Sequence, residues 1–334
     1  DFRIEVKYRT RSNQLIVRPR WQGYSQKIIN QATNQSLQNA KGKIDLTDAF
    51  IETNWSAKLS TTLGLQVYQG GPAEILNPSN SLLHCNSKQR GLFYKEKGQV
   101  LLRSNWSLNK ENILVLAVEP ISNAEPEWIE EDKFVAKFIL KYEKSWLQTA
   151  NYFGLVAGSE EKSNFYVGEY FNFSPIEGFS IYADLKHPQY QQNYEPLFNG
   201  FSYDMEKVDN PKNQWQTLAV AGLRWESNYD IRLEYIYNSM GFDKYKLENA
   251  RLSASNIFSA KYAQNLKRYL KSGLELLGQN YLYASLRVNE PFDFKEFNFY
   301  MRNVYSMQDQ SSQLQIEFDK SFLDSWTGFA SQSF

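Results

Sequence analysis

The sequence predicts an all-β fold: one antiparallel up-and-down transmembrane β-barrel of about sixteen strands (about 14–18 fit the pattern), with one helix in a long connection. Three observations predict it. Aromatic residues make up 16% of an otherwise hydrophilic chain, with 22 Phe, 22 Tyr and 8 Trp. They fall in short segments of period-two alternation: Phe2-Arg3-Ile4-Glu5-Val6-Lys7-Tyr8-Arg9, then Tyr229-Asp230-Ile231-Arg232-Leu233-Glu234-Tyr235, then Gln313-Leu314-Gln315-Ile316-Glu317-Phe318. Such alternation makes strands with one greasy face and one wet face. Finally, short and long connections take turns along the chain, as they do when one rim has tight turns and the other has elaborated loops.

In chain order the predicted strands are 2–9, 14–23, 43–55, 61–69, 98–108, 112–119, 133–143, 146–156, 163–173, 178–186, 214–226, 229–238, 280–289, 294–305, 312–319 and 325–334. Most are near the ~9–11 residues of a tilted transmembrane strand. The short connections are 10–13, 56–60, 109–111, 144–145, 174–177, 227–228, 290–293 and 320–324. The long ones are 24–42, 70–97, 120–132, 187–213 and 239–279; 157–162 and 306–311 are intermediate. Within 256–271, Phe258, Tyr262, Leu266, Tyr269 and Leu270 recur at helical spacing, with Lys261, Lys267, Arg268 and Lys271 on much of the remaining surface. A helix is expected there, packed on the rim, plugging the lumen or docking a partner. No repeat or linker divides the chain, so residues 1–334 are read as a single domain. Sixteen strands from residue 2 put both ends of the chain on the long-loop rim, which leaves open which rim faces out. Asp1 opens almost directly into a strand, so a targeting segment is expected to have been removed or omitted.

Composition removes several function classes. Lys+Arg and Asp+Glu are 37 each, and this balance lacks the basic excess of a nucleic-acid binder. Cys85 stands alone, so no internal disulfide forms, and His84 and His187 are too few for a histidine metal site. No apolar run reaches the ~18–20 residues of a spanning helix, so a membrane crossing requires a closed barrel. The expected partner is membrane lipid, and no cofactor is expected.

The two faces separate on the best strands. Outward candidates are Ile231, Leu233, Tyr235 and Tyr237; Leu282, Ala284, Leu286 and Val288; Phe297, Phe299 and Met301; and Leu314, Ile316 and Phe318. The opposite faces supply the pore-lining candidates Arg3, Glu5, Lys7, Arg9, Arg18, Arg20, Arg224, Arg232, Glu234, Arg287, Glu296 and Arg302. A Lys or Arg facing mid-bilayer lipid costs about 2–4 kcal/mol, so these residues are expected to face water or each other. Two readings follow: Arg–Glu pairs that brace the wall, or a basic strip that favours anionic solutes.

Catalytic patterns are weak. His84 and Cys85 are adjacent, whereas nucleophile and base usually converge from distant positions. Glu127, Glu130, Glu131 and Asp132 form a solvated acidic run without calcium-loop spacing. No catalytic, cofactor or metal residue is assigned, and no enzyme is expected.

The stretch Asp45-Leu46-Thr47-Asp48-Ala49-Phe50-Ile51-Glu52 … Leu63-Gly64-Leu65-Gln66-Val67-Tyr68-Gln69-Gly70-Gly71-Pro72-Ala73-Glu74-Ile75-Leu76-Asn77-Pro78-Ser79-Asn80 resembles bacterial outer-membrane barrels of the broad porin and alginate-export-like group of proteobacteria. There an acidic-Ala-aromatic strand precedes a Gly-x-Gln strand, a Trp-Gly and an Asn-Pro loop. Asn280-Tyr281-Leu282-Tyr283-Ala284-Ser285-Leu286 and Asp309-Gln310-Ser311-Ser312 carry a weaker likeness. The resemblance covers about a third of the chain. It departs at Gln69, where the group usually has Trp, and at Leu63, often Arg. It implies a Gram-negative outer-membrane location and supports the fold more than the cargo; barrel size and the charged face supply the expectation of a porin that passes hydrophilic, even anionic, solutes. Two alternatives stay open: an export or assembly component that docks periplasmic or lipoprotein partners through its long loops, and an outer-membrane hydrolase with His84 or His187 as base.

Overall fold

A computed structural model describes residues 2–3, 5–30, 35–68, 70–80, 82, 98–121, 136–159, 165–189, 192–209, 215–256, 259, 261–270, 276–291, 294–322 and 326–333. Strands dominate. They are β1 (Phe2–Arg3), β2 (Val6–Arg9), β3 (Asn13–Asn30), β4 (Gln35–Asn54), β5 (Leu59–Gln66), β6 (Gln99–Ser107), β7 (Asn112–Glu119), β8 (Lys137–Ser145), β9 (Tyr152–Ser159), β10 (Phe165–Ile176) and β11 (Phe179–Pro188). After an added hairpin, β12 (Gln192–Phe198) and β13 (Tyr203–Asp209), come β14 (Leu218–Glu226), β15 (Tyr229–Asn238), helices α1 (Lys244–Ser255) and α2 (Tyr262–Leu270), β16 (Asn280–Asn289), β17 (Phe297–Ser306), β18 (Ser312–Phe322) and β19 (Trp326–Ser333).

Apart from β12 and β13, every strand pairs antiparallel with its neighbours in sequence, from β3–β4 through β9–β10, β10–β11 and β11–β14 to β18–β19. Both β1 and β2 pair with β3, so these two pieces form one edge strand and the sheet has sixteen ladder positions. This is the expected up-and-down order, strand for strand. Among the described residues, no ladder joins β19 back to β1 or β2.

The face pattern is inverted relative to a soluble sheet. On β15, Ile231, Leu233, Tyr235 and Tyr237 are 41%, 54%, 42% and 39% exposed, while Glu234, Ile236 and Asn238 are buried. The register carries that alternation to neighbours: Leu233 faces Leu223 and Ala284, and Glu234 faces Gly222 and Tyr283. The same exposed apolar face continues through Leu282, Phe318, Leu63, Leu102, Leu140, Leu155 and Phe171. Soluble monomers rarely expose contiguous apolar patches larger than a few hundred Å².

Several boundaries differ from expectation. Residues 24–42, read as a long loop, continue the β3–β4 hairpin as far as the Asn30–Gln35 pair. The antiparallel register runs on past the expected strand ends, and no proline interrupts the sequence there. The expected turn at 144–145 lies at 146–151, closed by Trp146 N–H to the Asn151 carbonyl at 3.0 Å. Trp146-Leu147 mimics a strand start because apolar residues also line the rim. One helix was expected, at 256–271, where α2 lies; the described residues add a second, α1. Glu296 falls outside β17, in a turn where its φ is 63°. His84, Cys85 and the acidic run Glu127–Asp132 lie outside the described residues.

The added hairpin and both helices form a separate small layer. Met205, Phe242, Leu247 and Ala250 pack together with Tyr194, Tyr269 and Leu277. Asn265 donates to Asp204 at 3.0 Å and accepts from the Met205 N–H at 3.1 Å, tying α2 to β13. Asp204 also receives Lys261 at 3.1 Å and Asn199 at 2.8 Å. These donors, Asn265 foremost, hold its carboxyl below the usual carboxylate range.

Candidate functional site

The connection after β5 runs along the charged face of the sheet. Its path is set by local chemistry: Gly71 adopts a φ of 82°, and a Cβ there would lie 1.9 Å from an Asp184 oxygen. Only glycine lets β11 approach so closely. Asn80 then closes the turn, its N–H on the Asn77 carbonyl at 3.0 Å and its side chain on the Tyr68 carbonyl at 2.8 Å.

Two apolar plugs seat this segment. Tyr68 and Leu82 join Leu101, Val115, Ile139, Tyr166 and Tyr170. Ala73, Ile75 and Leu76 join Tyr182, Val220, Ile236, Tyr281 and Tyr283. The inner-face tyrosines are therefore floor beneath the loop, not a slide open to solute: Tyr166, Tyr170, Tyr182 and Tyr283 are fully buried.

Carboxylates fix its register. Glu234 accepts the Glu74 N–H at 2.7 Å, the Ile75 N–H at 3.4 Å and the Tyr182 hydroxyl at 2.8 Å. Glu74 in turn accepts Tyr300 at 2.5 Å and Ser285 at 3.0 Å, and pairs with Arg232 at 3.3 Å. Asp184 accepts the Ser79 N–H at 2.8 Å, and Tyr166 donates to the Ser79 carbonyl at 3.2 Å. Burying Glu234 and Glu74 is tolerable because each carboxylate meets several donors.

The loop also measures the sheet. Val67 donates to Asp48 on β4 at 3.3 Å, and Glu74 is held by Tyr300 on β17. Seven residues of chain span at most about 25 Å. Laid flat, the eleven ladder spacings from β4 to β17 would span about 50 Å. Side-chain reach does not make up the difference, so the sheet curls around the loop and the charged face is the concave one.

The predicted lining residues mostly meet partners there. Arg18 lies between Glu5 at 2.7 Å and Asp48 at 2.9 Å. Arg224 binds Asp230 and Glu226, each at 2.9 Å, and Arg232 reaches Asp230 at 3.4 Å as well as Glu74. Arg302 bonds Gln315 at 2.8 Å. Lys7, Arg9 and Arg287 are exposed. Arg3 pairs with Arg20 across the β1–β3 ladder, and their side chains are outside the described residues. His187 sits at the end of β11 with Nδ1 3.1 Å from the Thr217 hydroxyl. Sequence reasoning missed Glu74, Asp184, Tyr182 and Tyr300 as loop clasps. Their partners are 100 or more residues apart for the Glu74 and Asp184 contacts, so no local spacing announces them.

No family model matches this chain, and no curated protein does. Among solved structures, it is similar to OpdL of Pseudomonas aeruginosa, at 11% identity over 99% of this chain and 86% of that one, with a TM-score of 0.47. It is similar to the outer membrane protein OprD of the same organism at 9% identity, over 96% of this chain and 83% of that one, with a TM-score of 0.46. The outer membrane channel DcaP of Acinetobacter baumannii matches at 12% identity, over 99% and 83% of the two chains, with a TM-score of 0.44.

Proposed function

We propose that the chain is a Gram-negative outer-membrane β-barrel channel for small hydrophilic solutes, with the sheet closed in lipid and the 67–82 segment narrowing its lumen. The observation that supports this most is the inverted face pattern: exposed apolar side chains outside, a concave charged wall inside. A barrel near sixteen strands leaves an aqueous passage, which smaller barrels do not. The clasped loop then sets the bore, because apolar plugs and carboxylate bonds hold it across the inner face from β4 to β17.

Selectivity divides between two sets of cations. Arg18, Arg224 and Arg232 sit against carboxylates, so they brace the wall and contribute little free charge. Lys7, Arg9 and Arg287 are exposed, and a preference for anionic solutes would rest on them. No enzyme activity is assigned.

Planar-bilayer recording tests the proposal. Steady open levels are expected from the purified protein alone. Insertion that stays silent at every voltage would overturn it. That outcome would favour the docking alternative, which draws on the small layer at the long-loop rim, where Phe201 is 98% exposed at the β12–β13 tip beside Phe198 at 61%.

A further inference from the structure

A cleft of about 570 Å³ opens at the short-turn rim, between the 146–151 turn and the ends of β9 and β10. Phe153, Phe171 and Phe173 form its apolar part, and Trp146 and Leu147 supply the turn's wall. Phe153 and Phe171 are ladder partners on the face that carries the exposed apolar band, so the cleft is continuous with that band.

The cleft is preformed. Trp146 and Asn151 close the turn, and Thr149 N–H donates to the Trp146 carbonyl at 3.1 Å. The Asn172 side chain donates to the Ala150 carbonyl at 2.9 Å, and Asn151 accepts the Ser174 N–H at 2.6 Å, so β10 pins the turn from the other side. Ser145 N–H donates to the Glu111 carbonyl at 2.8 Å, fixing it against the preceding turn as well. Lys144, the ladder partner of Phe153, holds its ammonium 5.3 Å from the Trp146 ring centre, and Glu111 also lines the cleft. Five apolar side chains, a fixed turn with polar Gln148, Thr149 and Asn151 at the rim, and one ammonium on the adjoining strand suit an amphiphile with a hydrocarbon tail and a phosphate that lies on the Lys144 side, away from Glu111.

We infer that this cleft holds one glycerophospholipid of the adjacent leaflet, an acyl chain against Phe171, Phe173 and Leu147 and its phosphate at Lys144. The inference rests on the membrane reading above. It adds a resident lipid at a defined site to the general contact between barrel and bilayer.

Native mass spectrometry of the full chain, extracted in detergent and titrated with phosphatidylglycerol, tests it. One lipid is expected to stay bound at activation energies that strip all others. Lys144→Gln should lower occupancy of that first lipid about fivefold, the ~1 kcal/mol attributed to one cation near an anionic surface. Leu147→Ser, at a position 64% exposed and therefore tolerant of change, should weaken it independently. A smooth ladder of adducts with no favoured first copy, or wild-type retention in both variants, overturns the inference. Insertion into vesicles is scored on the same samples. Insertion without a retained lipid sinks the site alone, whereas failure to insert sinks the membrane reading and the site with it.

Discussion

Glu74→Gln isolates what holds the inner segment in place. The wild-type carboxylate joins three strands through Ser285, Tyr300 and Arg232. The amide keeps one acceptor oxygen for a hydroxyl and loses the charge that Arg232 faces. Removing one partner of a fully buried ion pair costs about 3–5 kcal/mol. Here Arg232 still reaches Asp230 at 3.4 Å and both side chains retain some exposure, so the guanidinium is not left bare. The loss should then approach that of one hydrogen bond to a charged group, about 2 kcal/mol. The effect falls on local opening of the segment, not on the barrel. Hydrogen exchange at the Glu74 and Ile75 amides, both bonded to Glu234, reads it directly. Exchange should speed up roughly thirtyfold, the factor that corresponds to 2 kcal/mol. Strand amides of β15 should keep their protection, and single channels should show added open-state noise. Unchanged exchange at both amides would refute the clasp.

Other consequences follow from the same contacts. Lys7→Glu with Arg9→Glu should move the reversal potential in a salt gradient towards cations, whereas Arg18→Gln, which removes an already paired charge, should move it less; the reverse order would reject the division of cations made above. Gly222→Ala places a Cβ 2.4 Å from the Tyr182 ring, and overpacking of this kind costs about 1–3 kcal/mol, visible as a lower unfolding temperature in a heat-modifiability gel. Asp204 has a folded pKa below its unfolded value, so its contribution to the rim layer is complete above the ordinary carboxylate pKa of about 3.9 and disappears as pH falls through the lower folded value. Protease cleavage in β12–β13 should therefore rise on acidification into that window, and an Asp204→Asn variant should be cleaved readily at neutral pH too.

The sequence made the ladder legible because period-two patterning is local. Tyr229 to Tyr237 announces its own faces, and β16 begins and ends where its alternation does. Turn chemistry placed the rims well, except where Trp146-Leu147 imitated a strand. In the rim layer α2 was legible from its apolar spacing, whereas α1 was not. Helix α1 buries Leu247, Asn249, Ala250, Ser253 and Ala254, small and polar residues that write no apolar stripe. Its one clear signal was Asp243, whose side chain caps the Lys246 N–H at 2.8 Å. The stretch from Asp45 to Asn80 stood out by its Gly-Gly-Pro and Asn-Pro corners, but not for where it goes. Its inward course depends on Asp184, Glu234 and Tyr300, and only the folded register of distant strands brings these together. Arg18, Arg224 and Arg232 meet carboxylates on neighbouring strands or loops, and no local spacing announces those pairings.

The central claim is that hydrocarbon touches one face of the curled sheet and not the other. Bimane-labelled single cysteines at positions 230 through 237 of β15, on a Cys85→Ser background in vesicles of brominated lipid, measure it residue by residue. Quenching should alternate, strong at 231, 233, 235 and 237 and absent between them. Uniform quenching, or none in protein that keeps its β signal, would contradict the account.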